Sequence, residues 1–139
     1  MSEPVRGLVV AHGPMAEGLV AAVQRIAGVE ADALQALSNE GLGPEGLRAA
    51  LEARLGAAPA VVFVDLPSGS CALEARRVAR ARPATAVVCG VNLPMLLDFV
   101  FHRDLPLETL VPRLLERGRG GILGEVAAES ADADRSAPR

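Results

Sequence analysis

The chain contains no lysine; its fourteen basic residues are all arginine. No side-chain ammonium is therefore available to form a Schiff base, and the lysine of a nucleotide P-loop is excluded. Tryptophan and tyrosine are also missing, and three phenylalanines are the only large aromatics in 139 residues. The core must be assembled from Val, Leu, Ile and Ala. Two cysteines, Cys71 and Cys89, are too few for a disulfide framework. No apolar run approaches the ~20 residues needed to cross a bilayer as a helix, and residues 1–6 are too polar to open a signal peptide. A net charge of −3 lacks the basic excess of a nucleic-acid binder. Together these absences lead us to expect a cytoplasmic protein without nucleic acid as a partner.

Half of the residues are hydrophobic, enough for a substantial core. Three short apolar runs, at residues 8–11 (reaching back to about residue 5), 60–64 and 85–89, read as strands buried on both faces. A weaker run at 33–37 reads as an edge strand. Helical patterns fall between them. Met15, Leu19, Val20, Val23 and Ile26 share one helix face, as do Leu47, Leu51 and Leu55 after Pro44. Residues 72–81 carry Glu74, Arg76, Arg77 and Arg80 on a polar side. Residues 93–101 follow Asn92, a good N-cap. Leu107, Leu110, Val111, Leu114 and Leu115 form a last stripe, in which Pro112 predicts either a kink or a helix start near Thr109. This alternation predicts an α/β fold: a three-layer, doubly wound, mostly parallel four-stranded sheet, for which we expect the order 2-1-3-4. Residues 122–126 could add a short strand. We expect one domain over residues 1–127 and a disordered tail over 128–139.

In such sheets the chemistry sits beyond the carboxyl ends of the strands, at the switch point. The first strand ends in Ala11-His12-Gly13 and the third in Val64-Asp65, followed by Leu66-Pro67-Ser68-Gly69-Ser70. A carboxylate placed straight after an apolar strand needs a partner. If the two strands are neighbours, Asp65 accepts the Nδ1 proton of His12 and leaves Nε2 as a nucleophile. Otherwise Asp65 is a turn residue bonding local amides, and His12 a loop histidine. Ser68, Gly69 and Ser70 open the next helix, whose N-terminus suits a phosphoryl group; the plainer reading of Ser70 is an N-cap.

These segments resemble the mannose-family EIIA domain of the bacterial phosphoenolpyruvate-dependent sugar phosphotransferase system (PTS). Gly7-Leu8-Val9-Val10-Ala11-His12-Gly13 with Met15-Ala16-Glu17-Gly18-Leu19 looks like its active-site strand and first helix. Phe63-Val64-Asp65-Leu66 with Gly69-Ser70 resembles its aspartate-containing loop, and Gly90-Val91-Asn92-Leu93-Pro94-Met95-Leu96 is the most specific match. The resemblance implies that His12 is phosphorylated on Nε2, that Asp65 holds its ring and that the Ser70 hydroxyl assists at the phosphate. It further implies a phosphotransferase without metal or other cofactor, taking its phosphoryl from HPr and passing it to an EIIB component. The membrane is then met only through the PTS permease. It also implies a homodimer in which a C-terminal strand, here residues 122–126, crosses to the partner's sheet. The sequence departs from the family in one loop, where Ser68, Cys71 and Leu73 replace Gly, Pro and Asn.

That departure sustains two alternatives: a regulatory protein whose phosphorylation state controls a partner, or a binding module that no longer accepts phosphate. The phosphotransfer subunit of dihydroxyacetone kinase shares the domain, but the segment from Gly90 to Leu96 leans away from it. His102, near a helix end, reads as structural, Cys89 as a small core residue, and Cys71 as an unlikely nucleophile. The arginines from Arg76 to Arg82 read as a solvated helix face partly paired with Glu74.

Overall fold

A computed structural model describes residues 3–29 and 31–128. Four strands and five helices follow one another as β1 (Arg6–Ala11), α1 (Met15–Ala27), a 3-10 turn (Ala31–Ala33), β2 (Leu34–Ser38), α2 (Pro44–Leu55), β3 (Ala60–Val64), α3 (Ser70–Arg80), β4 (Thr85–Cys89), α4 (Leu93–Val100) and α5 (Leu107–Gly120). All strand pairs are parallel, as the alternation predicts, and the order is the expected β2-β1-β3-β4.

The two-residue period of the strands sorts their side chains into two cores. Leu8 and Val10 of β1, with Val62 and Val64 of β3, face Leu47, Leu51 and Leu55 of α2 and Ala72, Ala75 and Val78 of α3. Val9 and Ala11, with Val61 and Phe63, face α1, α4 and α5 through Val20, Val23, Leu96, Phe99, Leu110 and Leu114. Every residue of β3 is buried, which is why its sequence shows no alternation. With so few aromatics, the Phe63 and Phe99 rings matter: their centroids lie 5.1 Å apart, edge to face at 77°, a pairing worth about 0.5–1.5 kcal/mol beyond its burial.

Gly7 leaves room for that ring, because a Cβ there would come within 2.6 Å of Phe99 Cε2. The segment after β4 works structurally. Asn92 accepts the Met95 amide at 3.1 Å, capping α4, and donates to the Gly118 carbonyl of α5 at 2.8 Å. One side chain thus fixes the start of one helix and the end of another.

Four expectations need correction. α5 does not start near Thr109: it runs from Leu107 to Gly120 with Pro112 inside, the first backbone bonds being those of Thr109 and Leu110 to Pro106. Glu74 is not on a solvated face but fully buried. It accepts from Arg48 Nε at 2.9 Å and Arg77 Nη1 at 3.1 Å, so two arginines whose stems reach to solvent neutralise it between α2 and α3. Ser70 is not the N-cap of α3; Gly69 is. Residues 122–126 form no strand and pair with none among the described residues, and Ile122, Leu123 and Val126 are exposed. Of the expected tail, residue 128 is irregular and exposed, and residues 129–139 lie outside the described residues.

Candidate active site

The chain lays β2 on one side of β1 and β3 on the other, so the switch point lies between the carboxyl ends of β1 and β3. Val10 pairs with Val64, which brings His12 and Asp65 to the same edge of the sheet. The Asp65 Oδ2 atom accepts the His12 backbone amide at 3.0 Å and lies 2.8 Å from His12 Nδ1. Its other oxygen accepts the Leu66 amide at 3.0 Å. Both sequence readings of Asp65 are therefore realised by one carboxylate: the turn contact uses Oδ1 and the histidine contacts use Oδ2.

The pair is asymmetrically exposed. The Asp65 side chain is 7% accessible and the His12 ring 46%. Burial pushes the Asp65 carboxyl up, but the His12 amide, the His12 ring and the Leu66 amide together outweigh it and hold the group below its ordinary value of 3.8. At neutral pH Asp65 is an anion, an acceptor suited to the tautomer with its proton on Nδ1.

Two residues that the sequence reading passed over hold the loop that carries the histidine. Ser38 Oγ donates to the Gly13 carbonyl at 2.9 Å, and the Asn39 side-chain oxygen accepts the Gly13 amide at 3.3 Å. Asn39 also donates its amide to the Ala11 carbonyl at 3.2 Å. Gly13 itself has φ +59, a conformation that glycine adopts at little cost; it turns the chain from β1 into α1. The signal was present as a polar Ser-Asn pair at the end of a strand beside β1.

On the other flank, Gly69 caps α3 at φ +94, again a glycine conformation. The first helical bond runs from the Leu73 amide to the Gly69 carbonyl, so the amides of Ser70, Cys71 and Ala72 precede the helical ladder. The Cys71 sulfur, a ring nitrogen of His12 and a carboxylate oxygen of Asp65 all lie within 4.8 Å of one another, which places the first turn of α3 beside the imidazole. Arg76, one turn further, donates to the Pro67 carbonyl at 3.0 Å and pins the divergent loop to its helix. Ser68, Gly69 and Ser70 are exposed around this opening.

The sequence model of the EIIA-man family, described as the PTS system fructose IIA component, matches residues 7–110. The chain belongs to the EIIA-man family. Among solved structures, the mannose/sorbose-specific IIA subunit of Enterococcus faecalis superposes with a TM-score of 0.80 at 28% identity, covering 93% of this chain and 100% of that one. An EIIA component from Streptococcus agalactiae gives 0.80 at 22% identity over 86% of this chain and 96% of that one. A sigma-54 interaction domain protein of E. faecalis shares the fold alone, with a TM-score of 0.66 at 15% identity over 86% of this chain and 94% of that one. No curated protein matches significantly. No helix among the described residues is long and apolar enough to cross a membrane.

His102, the other histidine, stands apart from this site. Its Nδ1 lies 2.8 Å from the Asp98 carbonyl and 3.4 Å from the Asp98 side chain, a local contact at the end of α4. Clefts elsewhere, such as the one lined by Leu97, Asp98, Phe101 and Arg117, do not include His12. An exposed histidine on an open edge is suited to meeting another protein rather than enclosing a small substrate.

Proposed function

We propose that this EIIA-man protein is a phosphohistidine carrier: His12 Nε2 takes a phosphoryl group from HPr and passes it to an EIIB component for sugar uptake. The observation that carries this reading is the 2.8 Å contact between His12 Nδ1 and buried Asp65, on a ring that remains partly exposed. Attack by the Nε2 lone pair forms the nitrogen–phosphorus bond as the bond to the donor breaks, and the donor keeps that bonding pair. Nδ1 keeps its proton throughout. The substituted ring then carries positive charge, which the Asp65 anion offsets. The amides at the start of α3 and its helix dipole, about half a positive charge, favour the phosphoryl oxygens. Ser70, the first helical residue, supplies a hydroxyl there, and Ser68 and Gly69 complete the phosphate-binding turn. Transfer to EIIB is the same displacement in reverse.

Incubation with phosphoenolpyruvate, enzyme I and HPr should add one acid-labile phosphoryl group by intact mass, and His12→Ala should abolish it. Equal uptake by that variant contradicts the assignment. A homodimer completed by residues 122–126 belongs to the same reading: Ile122, Leu123 and Val126 expose apolar surface, and β4 is a half-buried edge.

A regulatory use of the same site is the second reading, favoured by the loop of residues 67–71, where exposed Pro67 and Ser68 give partners a different surface. Sugar uptake in a deletion strain separates the two. Lost uptake supports transport; unchanged uptake with altered gene expression supports regulation.

A further inference from the structure

The active-site edge holds a group that phosphotransfer does not use. Cys71 is fully buried, yet its sulfur lies within 4.8 Å of donor atoms of both His12 and Asp65. That thiol is free of any disulfide. We propose that His12, Asp65 and Cys71 form a binding site for a thiophilic divalent cation of the zinc type, and that the bound ion blocks phosphorylation of His12. The blocking half rests on the phosphocarrier reading above; the binding half stands without it.

The donor set is the argument. Imidazole, carboxylate and thiolate together suit zinc, whereas magnesium and calcium take oxygen ligands. Three protein ligands with a fourth position left to solvent make an open tetrahedral site. Bonds of about 2.0–2.3 Å put tetrahedral donors roughly 3.3–3.6 Å apart. The His12–Asp65 pair, at 2.8 Å, must therefore open slightly, and the sulfur must close by about 1 Å. Among the described residues, no other three His, Cys, Asp or Glu side chains come together in this way.

Charge favours the same occupant. The sulfur is fully buried beside the Asp65 carboxylate, where a thiolate needs a counter-cation. On binding, the metal–sulfur bond forms, the sulfur–hydrogen bond breaks, and the proton leaves to solvent. No oxidation occurs. One dication then matches one thiolate and one carboxylate, and the neutral centre is compatible with the positive end of α3. With Asp65 beside Nδ1, coordination is through Nδ1, which moves the proton to Nε2 and removes its lone pair. That makes metal and phosphoryl mutually exclusive. The ion is thus a competitor at the site, not a cofactor of the transfer.

Cobalt(II) reports both ligand type and geometry, so titration of the whole protein with cobalt, followed by zinc back-titration, tests the binding half. We expect tetrahedral visible bands with a thiolate-to-cobalt charge-transfer band in the near ultraviolet, both displaced by one equivalent of zinc. Cys71→Ser should lose the charge-transfer band and weaken zinc binding by at least about tenfold, since even outer-shell partners of a metal carry 10- to 100-fold. A wild-type spectrum with no thiolate band overturns the proposal whatever the variants do. So does equal zinc affinity in wild type and Cys71→Ser, with folding checked by circular dichroism. The blocking half is read by phosphoryl uptake from HPr with and without zinc, with Cys71→Ser as the acceptor that controls for metal sensitivity of donor and enzyme I. Zinc-saturated protein that is phosphorylated at the metal-free rate overturns it. If the metal-free protein takes up no phosphoryl, the phosphocarrier reading fails, while the cobalt spectrum still decides the metal site.

Discussion

Replacing Asp65 by Asn tests whether the carboxylate sets the chemistry of His12 or merely sits beside it. Oδ2 accepts two groups of His12, the backbone amide at 3.0 Å and Nδ1 at 2.8 Å, while Oδ1 accepts the Leu66 amide at 3.0 Å. A carboxamide has one acceptor oxygen and one donor nitrogen. If its oxygen faces His12, its NH2 group confronts the Leu66 amide. If its NH2 group faces His12, it confronts the His12 amide and reverses the tautomer, so that Nε2 carries the proton. Either way a charge-assisted hydrogen bond is lost, worth about 1.5–3 kcal/mol. If that loss falls mainly on the transition state, where the ring becomes positive, phosphoryl uptake slows about 10- to 100-fold. Rapid-quench measurement of uptake from phosphorylated HPr reads the rate, and nitrogen NMR of the ring reads the tautomer. A variant within about twofold of wild type, with Nδ1 still protonated, would refute the reasoning.

Other consequences concern stability and pH. Glu74→Ala removes a fully buried carboxylate between Arg48 and Arg77 and leaves a void; because both arginines reach solvent, the expected loss is about 2–4 kcal/mol in urea unfolding, and an unchanged midpoint would show that the network contributes nothing. Asn92→Ala deletes the cap on Met95 and the bond to Gly118, so we expect about 1–2 kcal/mol of lost stability with the phosphorylation rate unaltered; a slowed rate would mean that this segment acts on the site. Asp65 has a depressed folded-state value, so its stabilisation is present above the ordinary carboxyl value and lost as pH falls through the lower folded one. Acid unfolding curves of wild type and Asp65→Asn should therefore converge below the ordinary value of 3.8, and curves that stay parallel there would contradict the shift.

The succession of strands and helices was legible because each buried run, such as Val61 to Val64, is bounded by turn residues and followed by a helical stripe. The His12–Asp65 pairing needed β1 and β3 to be neighbours, where parallel register carries their ends to one edge. What escaped was set by tertiary contacts. Glu74 has the helix spacing of a surface residue, and the arrival of Arg48 from α2, together with Arg77 on its own helix, neutralises it when buried. Pro112 sits five residues after Leu107 in an α5 whose packing through Leu110 and Leu114 outweighs the missing hydrogen bond. Ser38 and Asn39 reveal a role only when β2 lies beside β1. Cys71 reads as an isolated thiol until the α3 turn sets it beside the histidine.

The central claim is that His12 receives the phosphoryl group on the nitrogen turned away from Asp65. Nitrogen–phosphorus correlation NMR of the phosphorylated protein tests it most directly. The account predicts phosphorus bonded to Nε2 of His12, with the Nδ1 proton retained. Phosphorus on Nδ1, on His102, or on no histidine would contradict it.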